Sequence, residues 1–169
     1  MLNIAFKEWA AICEALACGR QRLILRKGGI HEEGGNFRPE HARFWLYPTH
    51  FHEQQQAGIQ LGEHAILETA EANRAPSGFV RISHFVDVTS VDYLQDLDEL
   101  LKLDVEHIWS EATVRQRFAY RTPGLYVLDV AVFRAASSVD VVESPEYAGC
   151  KTWVHLTEPL ATAGAVPVA

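Results

Sequence analysis

The run Leu125 to Phe133, LYVLDVAVF, is apolar on both alternating faces apart from Asp129, so it reads as a central strand covered above and below. A chain that carries it must supply apolar cover on both sides of a sheet. Phe79 to Val88 alternates instead: Val80, Ile82, Val86 and Val88 share one face with His84, and Arg81, Ser83 and Asp87 share the other. That is the pattern of a half-buried strand. Arg22 to Arg26, centred on Leu23, Ile24 and Leu25, and Phe44 to Tyr47, closed by Pro48, are two more short strands. Strands near 139–142 and 151–156 complete the set.

Helical spacing is carried by fewer segments. Phe6, Trp9, Ala10, Cys13, Leu16 and Ala17 recur at three and four and predict a helix over 5–18, stopped by Gly19. A second helix is expected over about 62–73, within the region of weakest periodicity. Thr89-Ser90-Val91-Asp92 has the form of a helix start, and Leu94, Leu97, Leu100, Leu101 and Ile108 continue it. A short helix follows over 110–118. Strands outnumber helices and do not alternate with them, which predicts an α+β fold: a mixed, largely antiparallel sheet with helices packed against it. The 169 residues fit one core, so a single domain is expected over 1–160, with an uncharged, flexible tail over 161–169.

The formal charge of −7 sets the whole molecule against a polyanion at long range. It leaves room for a local patch, because charge is segregated along the chain. From Arg20 to Arg43 six basic residues (Arg20, Arg22, Arg26, Lys27, Arg38, Arg43) face three acidic ones, whereas from Asp87 to Glu106 seven acids face Lys102 alone. Lys7, Glu8 and Glu14 interrupt the N-terminal apolar stretch, and no basic start or cleavage site precedes it, so a cytoplasmic protein without a membrane span is expected. Cys13, Cys18 and Cys150 are odd in number and lack C-x-x-C spacing, which fits reduced thiols.

Between the strands at 22–26 and 44–47 lies a long polar loop, and long loops in compact domains are often functional. If those strands pair, the loop is their hairpin connection. With the residues just after it, this segment holds His31, Glu32, Glu33, His41, His50, His52 and Glu53, including four of the eight histidines. His41, His50 and His52 are candidate ligands of a divalent metal ion, since imidazole with carboxylate suits zinc, manganese or iron. Ordinary loop residues of a histidine-rich chain would show the same pattern. Gly28 and Gly29, with Arg26, Lys27, Arg38 and Arg43, can bring backbone amides and charge to a phosphate, although the glycine spacing matches no phosphate-loop motif and equally makes turns. Asp129 needs a partner in its buried strand: Arg117 or Arg121 would serve, or Asp87 could join it around Mg²⁺. Arg115, Arg117, Phe118, Tyr120 and Arg121 combine guanidinium groups with rings suited to phosphate and bases, and amphipathic packing explains them too. Trp9, Trp45, Trp109 and Trp153 read as core or half-buried anchors.

FKEWAAICEALACGRQRLILRKGGIHEEGGNFRPEHARFWLYPTHFHEQ, and later EYAGCKTWVHL, resemble the bacterial family DUF1802, from about Phe6 to Leu156. The resemblance implies a stand-alone cytoplasmic protein, some of whose relatives accompany restriction-modification genes, and it transfers no catalytic residue. Its characteristic positions, here Lys27, Gly28, Gly29, Glu32, His41, Phe44, Pro48 and His52, fall in the same loop. The succession of a basic strand and an aromatic-proline strand is also similar to the opening of a Nudix hydrolase, but the R-E-x-x-E-E helix is absent. The Glu-x-Lys element of the restriction-enzyme-like fold is absent as well.

Three functions follow as expectations. The first is a nucleic-acid-associated module, with or without metal-dependent phosphodiester hydrolysis centred on Glu32, His41 and His52 and linked to restriction-modification. The second is a hydrolase of small phosphate esters using the same loop. The third is a protein-interaction module using the acidic 87–106 segment or exposed tryptophans.

Overall fold

The computed structural model describes residues 1–28, 30–33, 36–149 and 151–169, with the backbone alone for 30–33 and 36–38. β1 (Leu2–Trp9) runs directly into α1 (Ala10–Ala17), so the single helix expected over 5–18 is a strand followed by a helix. Ala5 and Phe6 point to opposite faces and both are buried, because a core layer covers each face of β1, which also has neighbours on both edges. It lies parallel to β5 (Arg43–Thr49) and antiparallel to β8 (Trp153–Leu160). A strand covered on both faces and a buried helix have the same apolar density, and only those remote partners separate the two.

The start of α1 is also completed from elsewhere. Trp9 offers no side-chain cap. The N–H of Ala11 donates instead to Gln55 Oε1 at 3.1 Å, from α2 (His52–Gly58). Gln55 is fully buried and donates Nε2 to the Thr49 carbonyl at 2.6 Å, which satisfies a helix end that would otherwise be orphaned. Gly19 ends α1 with φ 75°, pressed against the last residue of the chain, so that a Cβ would stand 2.4 Å from the Ala169 oxygen.

The main sheet runs β2-β7-β6-β5-β1-β8, with β2 (Leu23–Arg26), β6 (Phe79–Leu94) and β7 (Leu125–Val142) antiparallel to their neighbours. β9 (Val166–Pro167) adds a seventh strand on β7. The sheet is mixed and mostly antiparallel, as expected, with the β1–β5 pair as its parallel step. β2 and β5 do not pair, so the loop between them is not their hairpin connection. The segment forms a small hairpin of its own, β3 (Ile30–Glu33) on β4 (Asn36–Pro39).

The helix start expected at 89–92 is strand. Ser90 to Leu94 lie in register with Asp129 to Leu125, and a long ladder outweighs a four-residue capping signal. The helix begins later, as α4 (Leu97–Leu101), where Asp96 Oδ1 accepts from the N–H groups of Asp98 (2.8 Å) and Glu99 (3.2 Å). α3 (His64–Ala72) and α5 (Glu111–Ala119, capped by Ser110) fall where spacing predicts them. The strand expected at 139–142 is the far half of β7. The 161–169 segment, expected as a flexible tail, returns to the sheet through β9, and the Val168 N–H donates to Val132 O at 2.9 Å.

Apolar side chains pack on both faces of this sheet. One layer holds Phe6, Ile12, Leu16, Phe44, Trp109 and Leu128. The other holds Ala5, Trp45, Tyr47, Ile82, Phe85 and Val154.

His107 is the anomaly in the first layer. It is buried edge-on to Trp109, centroids 5.5 Å apart, and neither ring nitrogen has a partner among the described residues. Burial pushes its pKa from 6.5 down to about 4, against the raising effect of Asp104, while Arg20 and Arg117 lower it further. The unfolded ring therefore binds a proton first, and stability is lost as pH falls below about 6.5, the loss being complete near 4. His107→Phe should match the parent at pH 8 and gain on it between pH 6.5 and 4, by at most about 1.4 kcal/mol per pH unit. Urea melts at pH 8, 6 and 4.5 measure this, and a difference independent of pH would contradict it.

Candidate functional site at the sheet seam

The outer strands β2 and β8 come together across one guanidinium. Arg26, the last residue of β2, donates Nη2 to Thr152 Oγ1 just before β8 (2.5 Å) and lies 4.6 Å from the Phe6 ring centre. Burial pushes its pKa below the ordinary arginine value, Glu8 opposes this, and Arg117 adds to it. Trp153 packs edge-on against Phe6, Phe44 and His41, with centroids 5.0, 5.0 and 4.9 Å away. The 27–42 segment thus leaves β2 beside Arg26 and comes back at His41, and both residues meet the same aromatic cluster.

A second set of side chains joins from α5. Arg117 lies over both Trp9 (5.0 Å) and Trp109 (5.2 Å) and donates Nη1 to Leu25 O at 3.4 Å. Glu8, 5% exposed, accepts the Trp9 N–H on Oε1 at 2.8 Å. Its Oε2 has no hydrogen-bond partner among the described residues, and neither do Arg26 Nε, His41 Nε2 (3.9 Å from Glu40 Oε1), Trp109 Nε1 and Trp153 Nε1. A buried polar atom left so costs about 1–3 kcal/mol. Donors and acceptors set among aromatic faces and cations suit a planar, hydrogen-bonding ring or an anion.

Beside the seam, Lys27 organises the turn that follows α5. Its ammonium donates to the carbonyls of Phe118 (2.7 Å), Gly124 (2.8 Å) and Thr122, which uses its three protons. Desolvation lowers its pKa. The turn carries Tyr120, 57% exposed, and Arg121, whose guanidinium lies 5.1 Å from the Tyr120 ring centre. Arg121 has φ 61°, the one positive value outside glycine among the described residues. A long side chain held in that region marks a strained position.

The residues expected from sequence to bind phosphate have scattered fates. Arg26 is in the seam and Lys27 is spent on carbonyls. Arg43 makes a two-point pair with Asp87, Nε–Oδ1 2.5 Å and Nη2–Oδ2 2.6 Å. That pair also separates Asp87 from Asp129, whose Oδ2 accepts from the Ser90 hydroxyl at 2.7 Å, so neither the Mg²⁺ pair nor the Arg117 or Arg121 partnership forms. Gly28 faces open space. Gly29, Gly34, Gly35, Cys150 and the side chains of His31, Glu32, Glu33 and Arg38 lie outside the described residues.

The histidines separate too. His50 Nδ1 meets Glu71 Oε1 at 2.9 Å, and His52 is the exposed first residue of α2. His41 stands beyond the opposite end of β5, a strand whose length keeps it roughly 20 Å from His52. His41, His50 and His52 therefore do not assemble, and neither do His41 and His52 of the expected catalytic set. Among the described residues, no group of three or more histidine, cysteine, aspartate and glutamate side chains is placed to hold a metal ion. Sequence spacing missed Glu8. Its position two residues from Phe6 on one face of a strand was the available signal, hidden by a helical reading.

The family model described as "Domain of unknown function (DUF1802)" matches residues 5–169. The chain belongs to the DUF1802 family. No curated protein matches it. Its fold is similar to that of the ASCH protein from Zymomonas mobilis. A tyrosine-to-phenylalanine mutant of that protein aligns with a TM-score of 0.52 at 14% identity, covering 90% of this chain and 88% of the other. A crystal structure of ASCH from the same organism gives 0.46 and 16%, covering 75% and 65%, and a serine-to-alanine mutant gives 0.46 and 16%, covering 75% and 66%. This DUF1802 chain spans about two thirds of the length of those last two. Among its described residues no helix is long and apolar enough to cross a membrane.

In this DUF1802 chain, Lys27→Met should release the 119–124 turn without dismantling the sheet. The expected result is a stability loss of about 1.5–3 kcal/mol, the range for hydrogen bonds to a charged group, with faster amide exchange confined to that turn. Unchanged exchange there would remove Lys27 from its clamping role.

Proposed function

We propose that this DUF1802 chain is a nucleic-acid-associated module that takes single-stranded RNA or DNA across the seam. The carrying observation is the Tyr120–Arg121 pair, exposed on a turn that Lys27 clamps in a strained conformation beside the Arg26–Arg117–tryptophan cluster. An exposed ring under a guanidinium is a stacking platform for a base, and the guanidinium adds a phosphate contact. The interleaving of Arg26 and Arg117 with Phe6, Trp9, Trp109 and Trp153 extends the same chemistry inward. An ASCH-type fold is consistent with such a module.

The expected site residues enter this reading in altered roles. Arg26 builds the seam, Lys27 orders the turn, and His41 edges the aromatic cluster. Gly28 opens the loop that follows Lys27, and Gly29, Glu32 and Arg38 come after it in sequence, outside the described residues or with side chains outside them. Phosphodiester cleavage by this module would draw on Glu32 and His41, with His52 outside the set.

The test uses fluorescence anisotropy with single-stranded 12-mers of RNA and DNA. Binding is expected at low salt and should weaken steeply toward physiological salt, since phosphate contacts release counterions. Tyr120→Ala should weaken binding by about tenfold, within the ~1–3 kcal/mol of a stacked base. Arg121→Ala should also reduce the salt slope by about one. Both positions are exposed, so melting temperatures should hold. No binding to either 12-mer at low salt, or full affinity in the double variant, would overturn the reading.

A further inference from the structure

On a different part of the molecule, α1 and α3 stand over the sheet and leave a cleft of about 450 Å³ against β5, β6 and β7. Its size falls in the range of small-molecule sites. Arg74, Arg81 and Arg134 line it together with a single carboxylate, Glu14, in a chain whose formal charge is −7. Arg81 is neutralised by Asp140 through contacts of 2.7 and 2.8 Å. Arg74 lies 3.9 Å from Glu71. Arg134 has neither an ion pair nor a side-chain hydrogen bond among the described residues, and it is the free cation of the cleft.

Its surroundings fit an anion with several acceptor oxygens. Arg134 is directly across from His84 in the β6–β7 ladder. His84 Nδ1 is 2.8 Å from the Ser83 hydroxyl. Burial, reinforced by Arg134, pushes the His84 pKa from 6.5 down to about 4, so at neutral pH the ring carries no charge. In the tautomer in which the Ser83 hydroxyl donates to Nδ1, Nε2 carries the proton and is a neutral donor. The Ser138 hydroxyl lines the same wall. Ala10 and Ala17 of α1, Ala70 of α3 and Leu46 of β5 supply apolar lining, and His50, held by Glu71 at 2.9 Å, lines the cleft as a fixed polar group.

We infer that this cleft binds a small phosphate monoester, with its phosphate on Arg134, His84 and Ser138 and its organic part along the alanine-lined wall toward His50. A phosphate presents three acceptor oxygens to one guanidinium and two neutral donors, a match that a planar carboxylate fills less completely. The site shares no residue with the seam.

The test is isothermal titration of the intact protein with adenosine monophosphate, adenosine and inorganic phosphate. The monophosphate should bind, inorganic phosphate more weakly, and adenosine not measurably. Arg134→Ala should weaken monophosphate binding at least tenfold with an unchanged melting temperature, because the side chain is exposed. It should leave oligonucleotide anisotropy unaltered, just as Tyr120→Ala should leave the monophosphate titration unaltered, so that the two proposals fail separately. No binding of the monophosphate at millimolar concentration, binding of inorganic phosphate alone, or full affinity in Arg134→Ala would overturn the assignment.

Discussion

One buried guanidinium holds the two outer strands of this sheet together. Arg26 stacks on Phe6, donates to Thr152 and lies within the field of Glu8. Taking a charge out of water is expensive unless other groups meet it, and here an aromatic face, a hydroxyl and a nearby carboxylate do so together. The side chains around it inherit the same constraint. The β1–β8 ladder sets Trp153 directly across from Phe6, where it also meets Phe44 and His41, and Arg117 finds Trp9 and Trp109 on the adjoining side.

The basic residues between Arg20 and Arg43 illustrate how a charge-rich segment can be mostly structural. Arg20 pairs with Glu63 at 2.7 Å, Lys27 grips three carbonyls, and Arg43 is held by Asp87. Apart from Arg22, which is exposed and has no ion pair among the described residues, positive charge left for a ligand is carried by Arg121 on the turn after α5 and Arg134 on β7. The two belong to separate surfaces with different geometry. One is an open platform of ring and guanidinium, suited to a polymer. The other is a bounded cleft with neutral donors around its cation, suited to a small anion. A molecule with net negative charge gains selectivity from confining attraction to such places.

Two imidazoles with lowered pKa, the half-buried His84 and the buried His107, make the protein's stability sensitive to acid in the same window. Their causes differ. His107 has no hydrogen-bond partner among the described residues, and burial leads there, with Asp104 opposing it and Arg20 and Arg117 adding to it. His84 is also pressed by Arg134, the residue that an anion in the cleft would neutralise.

By itself the sequence determined the family, the fold class and the periodic elements: the alternating strand from Phe79, the apolar strand from Leu125, the helices near 64–72 and 111–119, and the turn at Gly19. These are set by local propensity and by the burial pattern of each face, which travel with the residues. It also picked out the Arg117–Tyr120–Arg121 group as basic and aromatic. Only the tertiary structure decided that Leu2–Trp9 is a strand, that Ser90–Leu94 extends β6, that β2 sits on β7 rather than β5, and which cations are spent. Each of those outcomes depends on partners far away in sequence, Val154, Leu128, Gln55 or Asp87, and a contact made after the chain folds back leaves no periodicity in the segment that receives it.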